Sequence, residues 1–460
     1  MSLYYITMSS KAKDEFIADE QFNKMVNTPI PKLVTSLAIP TVISMLVTAI
    51  YNMADTFFVS QISTEASAAV GVVFPIMSII QACGFTLGMG SGSLVSIRLG
   101  QKRNEEATQY ASTAFFTALV LGVLIGFFGV LFASKVLILI GSSETILPYA
   151  IDYADFIFFG APFMCASFVL NNVLRSEGKS FLSMIALSFG GLLNIALDPI
   201  FIFVLKMGIS GAAIATLISQ FLSFFILLSF YLAKKTVCRI GISHFAKDVK
   251  VLGKIVSTGI PSLARQGLAS ISTILLNRAA GCYGSDAGIA AMSIVTKIVM
   301  FIASIMIGIG QGFSPVSGYN YGAKRLDRVK SAYWFMVVSG FCLMALLSGV
   351  CCIFAPNILR AFRNDEEVIS IGSVALRWQA AFVPFHPFIV GTNMLMQSTR
   401  KIKSATFLSM NRQGVFFIPA ILILPKLCGM FGVEISQFVA DVLSTLMAIP
   451  FMILFFKREE

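Results

Sequence analysis

Charge is scarce in this chain. Only 12% of its 460 residues are Asp, Glu, Lys or Arg, against 57% hydrophobic residues and a mean hydropathy of +0.84. A soluble domain cannot cover itself with so few polar side chains, so lipid is the expected solvent. Histidine is nearly absent: His244 and His386 are too few and too separated to make a metal site with each other. The eight cysteines, among them Cys83, Cys165, Cys282, Cys351 and Cys352, show no CxxC or Cys/His spacing and read as buried or lipid-facing thiols. No convergent nucleophile, metal set or acid pair sits at one membrane interface, so an enzyme is not expected. Ser176-Glu-Gly-Lys-Ser180 fails as a phosphate loop, because Val173 stands where its earlier glycine belongs and no strand precedes it. ATP is therefore not the evident energy source, and no cofactor is expected. Residues 1–32 mix lysines with acids and lack an apolar core followed by a small-residue cleavage site, so no cleaved signal peptide is expected.

Long apolar runs are abundant. They exceed the roughly 9–11 residues of a barrel strand, and in hydrocarbon every backbone amide must be satisfied within the segment, which leaves helices. Twelve spans are predicted, over 33–59, 67–97, 107–133, 147–174, 181–205, 208–233, 255–280, 287–317, 329–355, 368–396, 404–425 and 431–456. The fold class is thus an all-α polytopic membrane protein. With a cytoplasmic N-terminus, one side's connectors carry about twenty basic residues, including Arg98, Lys102, Arg103, Lys179, Lys234, Lys235, Lys324, Arg325, Arg400 and Lys401, against about six on the other. That bias and the even helix count put both termini in the cytoplasm, and it assigns the net charge of +11 to topology rather than to nucleic acid.

The chain repeats itself. Gly88-Met-Gly-Ser-Gly92 followed by Gly100-Gln-Lys-Arg103 recurs about 220 residues later as Gly308-Ile-Gly-Gln-Gly312 followed by Gly322-Ala-Lys-Arg325. Ile39-Pro40 recurs as Ile260-Pro261, and Ala161-Pro-Phe163 as Val383-Pro-Phe385. The predicted organisation is a cytoplasmic segment 1–32, a six-helix lobe 33–233, a linker 234–254, a second six-helix lobe 255–456 and a cytoplasmic tail 457–460. Two pseudo-symmetric lobes inserted the same way up place the expected binding cleft between them, with alternating access by rocking.

Acids inside spans are the sharpest signal, because an ionised side chain at mid-membrane costs about 2.5–3.5 kcal/mol on insertion scales. Asp55 lies in the first span and Asp198 late in the fifth. Asn194 stands four residues before Asp198, so both project from one helix face and can share one bound ion. Pro199 removes a backbone donor beside them, and Pro40 offers a bending point in the first span; both are candidate hinges. Thr216, in the sixth span, gains meaning only in combination with these three, since a lone membrane threonine usually bonds its own backbone. Arg265, Lys297, Arg377 and Arg412 are read as pairing with acids or snorkelling to an interface, Asp441 as supporting packing or gating, and His386 as a satisfied core histidine. The 42 Phe and 21 Met residues suit a plastic cleft, but most must face lipid or the helix core, and no substrate-contact residues can be named.

These segments in this order carry a resemblance. Asn52-Met-Ala-Asp55, the glycine-rich end of the second span running into Arg98-Leu-Gly100, Leu174-Arg-Ser-Glu-Gly178, Asn194–Pro199 and Gln437-Phe-Val-Ala-Asp441 resemble the multidrug and toxic compound extrusion family in its DinF-like branch, close to the MepA-type exporters. The resemblance spans residues 33–456. It implies a cation or proton site made by Asp55, Asn194, Asp198 and Thr216, and secondary active efflux of amphipathic, often cationic drugs by proton or sodium antiport. It further implies a monomer in a bacterial cytoplasmic membrane with lipids as neighbours, and no metal beyond a coupling sodium. The family's other branch places acids in the second lobe, where the seventh and eighth spans here offer Arg265, Gln266 and Lys297. A flippase for a lipid-linked precursor, of the same superfamily, is the alternative reading.

Overall fold

The computed structural model describes residues 10–459, which are helical almost throughout; the sequence expectations for residues 1–9 and 460 lie outside them. A short amphiphilic helix, α1 (Ser10–Asn27), occupies part of the segment before the first span. The first lobe consists of α2 (Ile30–Ser60), α3 (Thr64–Gly100), α4 (Asn104–Leu131), the short α5 (Ala133–Ile140), α6 (Leu147–Ser176), α7 (Ser180–Pro199) and α8 (Gly208–Leu232). The second begins with α9 (Val249–Gly322) and continues through α10 (Leu326–Phe362), α11 (Glu366–Phe382), α12 (His386–Ser398), α13 (Ile402–Met410), α14 (Phe417–Cys428) and α15 (Met430–Glu459). Apolar side chains such as Phe127, Leu131, Leu346 and Ile353 point outward, as a lipid-facing surface requires.

Among the described residues eleven helices are long and apolar enough to cross a membrane. The arm 249–284 is not among them, since Arg265, Gln266, Asn277 and Arg278 dilute its apolar stretch. Packing nevertheless sets it apart from the span that follows. A Cβ on Gly288 would stand 2.8 Å from the carbonyl oxygen of Ala280, eight residues back. Along a straight helix that separation is about 12 Å, so the axis of α9 turns back on itself between 281 and 288. The sequence predicts two spans here with a break at 281–286; the structure keeps them helical across the reversal. Another difference is α5, which begins where the predicted third span ends and occupies what the sequence reading leaves as connector before the fourth. Gly141, with φ +111°, ends it.

The recurring glycine motifs are where the lobes meet. A Cβ on Gly90 would lie 2.1 Å from the Ile255 carbonyl oxygen, one on Gly259 1.9 Å from that of Thr86, and one on Gly322 2.2 Å from that of Ile97. Gly308 and Gly312 press onto Val42 and Ala38, on either side of Pro40 in α2. Backbone lies against backbone at these points, a distance only glycine permits. All lie toward the basic connectors, so the lobes seal against each other at that end. Arg175 adds a polar tie across the seal, donating to Gln311 of α9 and to Asn172. Helix α1 bridges the same end: Gln21 donates to the Glu177 carbonyl (2.6 Å), while the Met25 carbonyl accepts from Asn320 (3.2 Å).

The linker is held by the first lobe. The fully buried Glu177 accepts the backbone N–H groups of Val237 and Cys238 at 2.8 and 3.0 Å. Ser112 donates to the Arg239 carbonyl, and Thr113 accepts from the Ala246 N–H. Residues 249–254, predicted to belong to the linker, are instead the first turns of α9.

Gly322→Val should part the seal, because its side chain meets the Ile97 backbone rather than a movable side-chain tip. Hydrogen–deuterium exchange over 93–101 and 316–323 is expected to rise about tenfold with helix content unchanged. Exchange at the wild-type rate would contradict the seal.

Candidate functional site

Two glycines place the polar cluster of the first lobe. Gly191 lets α7 approach Val47 and Tyr51 of α2, to 2.8 and 3.2 Å from an added Cβ, and Gly190 lets it approach Ser223 of α8 at 3.0 Å. With α7 clasped this way, the Asn194–Asp198 face looks toward both neighbours. Asn194 Nδ2 donates to Asp198 Oδ1 at 3.2 Å and to Thr216 Oγ1 of α8 at 3.3 Å. Asp198 is fully buried, and Asn194 and Thr216 nearly so. Asp55 on α2 is half-buried and within electrostatic range of Asp198. The structure therefore brings the four sequence-predicted residues to one region.

Pro199 ends α7 and is followed by a π-turn, Ile200–Val204, closed by a bond from the Leu205 N–H to the Ile200 carbonyl. Widened turns of this kind commonly accompany functional sites. Gly211 allows α8 to pack on the Phe201 backbone, 2.8 Å from an added Cβ, which fixes the turn beside the cluster. Pro40 lies within a continuous α2, at the packing point with Gly308 and Gly312.

The satisfaction of polar atoms is uneven. Among the described residues, Asp55 Oδ1, Asn194 Oδ1 and Asp198 Oδ2 are buried without a hydrogen-bond partner, and the hydroxyl of Tyr153 on α6, which lies near Thr216, makes no bond of full hydrogen-bond geometry. Buried polar groups are normally paired, so orphaned oxygens gathered in one place ask for a function. Tyr153, fully buried and within electrostatic range of Asp55 and Asp198, belongs to this region and was missed by the sequence reading.

The second lobe treats its acid differently. Asp441 on α15 is buried and fully engaged: Arg412 Nε donates to Oδ1 at 2.7 Å, Gln437 Nε2 donates to Oδ1 at 2.8 Å, and His386 Nε2 stands 2.8 Å from Oδ2. Arg412 and His386 thus take the paired, structural places read for them, and Asp441 closes the network. Arg377 donates to the Cys352 carbonyl at 3.2 Å, whereas Lys297 is exposed.

Deleting a hydroxyl that makes no bond of full geometry removes little, so Tyr153→Phe should leave the melting temperature within about 2 °C of wild type or raise it. Asn194→Leu, which strands two partners, should lower it clearly. A fall of several degrees in Tyr153→Phe, read by thermal unfolding in detergent, would show the hydroxyl to be engaged.

Comparison with known proteins agrees with this architecture. The family model MatE matches twice, over residues 40–200 and 261–422, in register with the internal repeat. The chain is 26% identical over 431 residues to the multidrug export protein MepA of Staphylococcus haemolyticus, covering 94% of this chain and 95% of that protein. Among solved structures, a MATE protein in complex with MaL6 superposes with a TM-score of 0.91 at 27% identity, covering 95% of this chain and 98% of that one. The outward-facing conformation of a multidrug resistance MATE family transporter of the MOP superfamily superposes at 0.90, with the same identity and coverage. The twofold match across both lobes of a many-helix membrane protein makes this chain a member of the MatE family.

Proposed function

We propose that this protein exports amphipathic organic compounds by antiport against protons or sodium, with the coupling cation held by Asp55, Asn194, Asp198 and Thr216. The observation that carries the reading is the group of unpartnered oxygens on Asp55, Asn194, Asp198 and Tyr153, gathered about two acids inside the amino-terminal lobe. Carboxylate, amide and hydroxyl oxygens are the donor set a hard monovalent cation takes, and either carboxylate can equally hold a proton at the same atoms. The multidrug export named for the staphylococcal relatives supports the class of cargo.

The lobes are sealed at the basic end, which by the charge bias is the cytoplasmic one. This arrangement fits the stage at which the site takes its cation from outside. Binding there changes what α2 and α7 present to each other, and α2 is also the helix on which Gly308 and Gly312 of the other lobe rest. A shift in α2 at Pro40 is the direct mechanical route from the acids to the seal, and differential affinity for the two states supplies the coupling. The Pro199 π-turn gives α7 a second place to adjust. The same reading places a monomer in a bacterial cytoplasmic membrane with both termini inside.

Asp55→Asn and Asp198→Asn should each cut gradient-driven efflux from proteoliposomes at least a hundredfold while leaving the protein monodisperse. Separately imposed proton and sodium gradients identify the coupling ion. Wild-type efflux in both variants would remove the acids from the mechanism.

A further inference from the structure

A cavity of about 310 Å³ lies wholly within the second lobe, between α9, α11, α12, the π-turn Asn411–Val415 and α15. Its size suits a small organic molecule. Its walls are mixed. Met300, Met306, Ile389 and Phe417 supply apolar surface, while Gln266, Gln379, Gln413 and Gln437 supply amides. No acid lines it: Asp441 stands behind the wall, committed to Arg412, and Glu434, the other buried acid of α15, is not among the lining residues.

The cavity nevertheless holds two guanidinium groups. Arg412 is neutralised by Asp441, but Arg265 on α9 lines the cavity without an ion-pair or hydrogen-bond partner among the described residues. Snorkelling does not explain it. Arg265 lies sixteen residues from Val249, where the helix starts, and sixteen from Gly281, where it turns back. That is about 24 Å of helix in either direction, several times the reach of an arginine side chain. A cation kept at such depth and facing a half-open cavity calls for an anion to complete it.

We infer that this cavity is a binding site for the carboxylate end of an amphipathic organic anion, with Arg265 as its counter-ion, the surrounding amides orienting the carboxylate and the methionine-rich wall receiving the apolar body. The inference deepens the export reading and rests on it for the ligand's role as cargo. Within that cargo it assigns recognition of the carboxylate to Arg265. Methionine lining allows bodies of different shape. A lipid phosphate offers related anionic chemistry, but a two-chain lipid exceeds the volume, and we commit to the small carboxylate.

Fluorescence titration of the full-length protein in nanodiscs of neutral phosphatidylcholine tests this, using dansylglycine as the anion and dansylcadaverine as the cation. Dansylglycine should bind, Arg265→Gln should weaken it at least tenfold, and Arg265→Lys should hold it within about threefold of wild type. Since Arg265→Gln alters a span, a second variant places the counter-charge within the protein. Ala269→Glu, one turn along α9 on the cavity wall, should abolish dansylglycine binding and admit dansylcadaverine. Equal dansylglycine affinity in wild type and Arg265→Gln, or tighter binding of dansylcadaverine to wild type, overturns the inference. So does displacement of the probe by phosphatidylglycerol added to the disc, which would assign Arg265 to lipid phosphate. The titration is made without an ion gradient, so loss of probe in Arg265→Gln and loss of gradient-driven transport in Asp55→Asn report on separate claims.

Discussion

An unpaired polar atom in hydrocarbon costs several kcal/mol, and this constraint orders the whole molecule. It makes the chain helical nearly from end to end, and keeps α9 helical even where it reverses. It also gives meaning to the exceptions. Asp441 has both of its oxygens paired, whereas Asp55, Asn194 and Asp198 each keep one oxygen bare. The two lobes descend from one repeated pattern, yet one buries a closed ion-pair network and the other an open set of acceptors. That asymmetry, rather than the shared fold, distinguishes the two sets of acids.

Glycine is the second organising element. The sequence shows its repeats as motifs, and the structure shows their use: they bring backbone to backbone where the lobes meet and let α7 nestle between α2 and α8. Without hydrophobic driving force between helices in lipid, such close approach is how packing energy is gained. Because α2 takes part in both contacts, the acid cluster and the seal are joined through one helix.

Much of this was legible in the residues. Apolar runs gave the spans to within a few positions, the recurrence of Gly308–Gly312 gave the duplication, and the spacing of Asn194 and Asp198 gave a shared helix face that the structure keeps. What stayed hidden depends on tertiary distance. Tyr153 carries no spacing signal toward α2 or α7, so its place beside the acids emerges only when α6 packs. Arg265 read as one of several intramembrane cations to be paired or snorkelled; Arg412 was paired, and only the geometry of α9 shows that Arg265 is not. The reversal at 281–288 falls at the predicted break, where Gly281, Gly284, Asp286 and Gly288 stand; what the sequence did not show is that the backbone stays helical through it. The linker's end was misplaced because the amphipathic stretch 249–254 already belongs to the helix that follows.

The anchoring of the linker sets a limit on travel. Twenty-one residues, 234–254, would be a generous tether if free, but bonds to Glu177, Ser112 and Thr113 pin it as far as Ala246, and α9 starts at Val249. Only Lys247 and Asp248 remain as slack. Two residues reach about 7 Å when stretched, so at this corner the halves of the protein can pivot but cannot drift apart, and any inward opening must swing about that point like a door on a short strap.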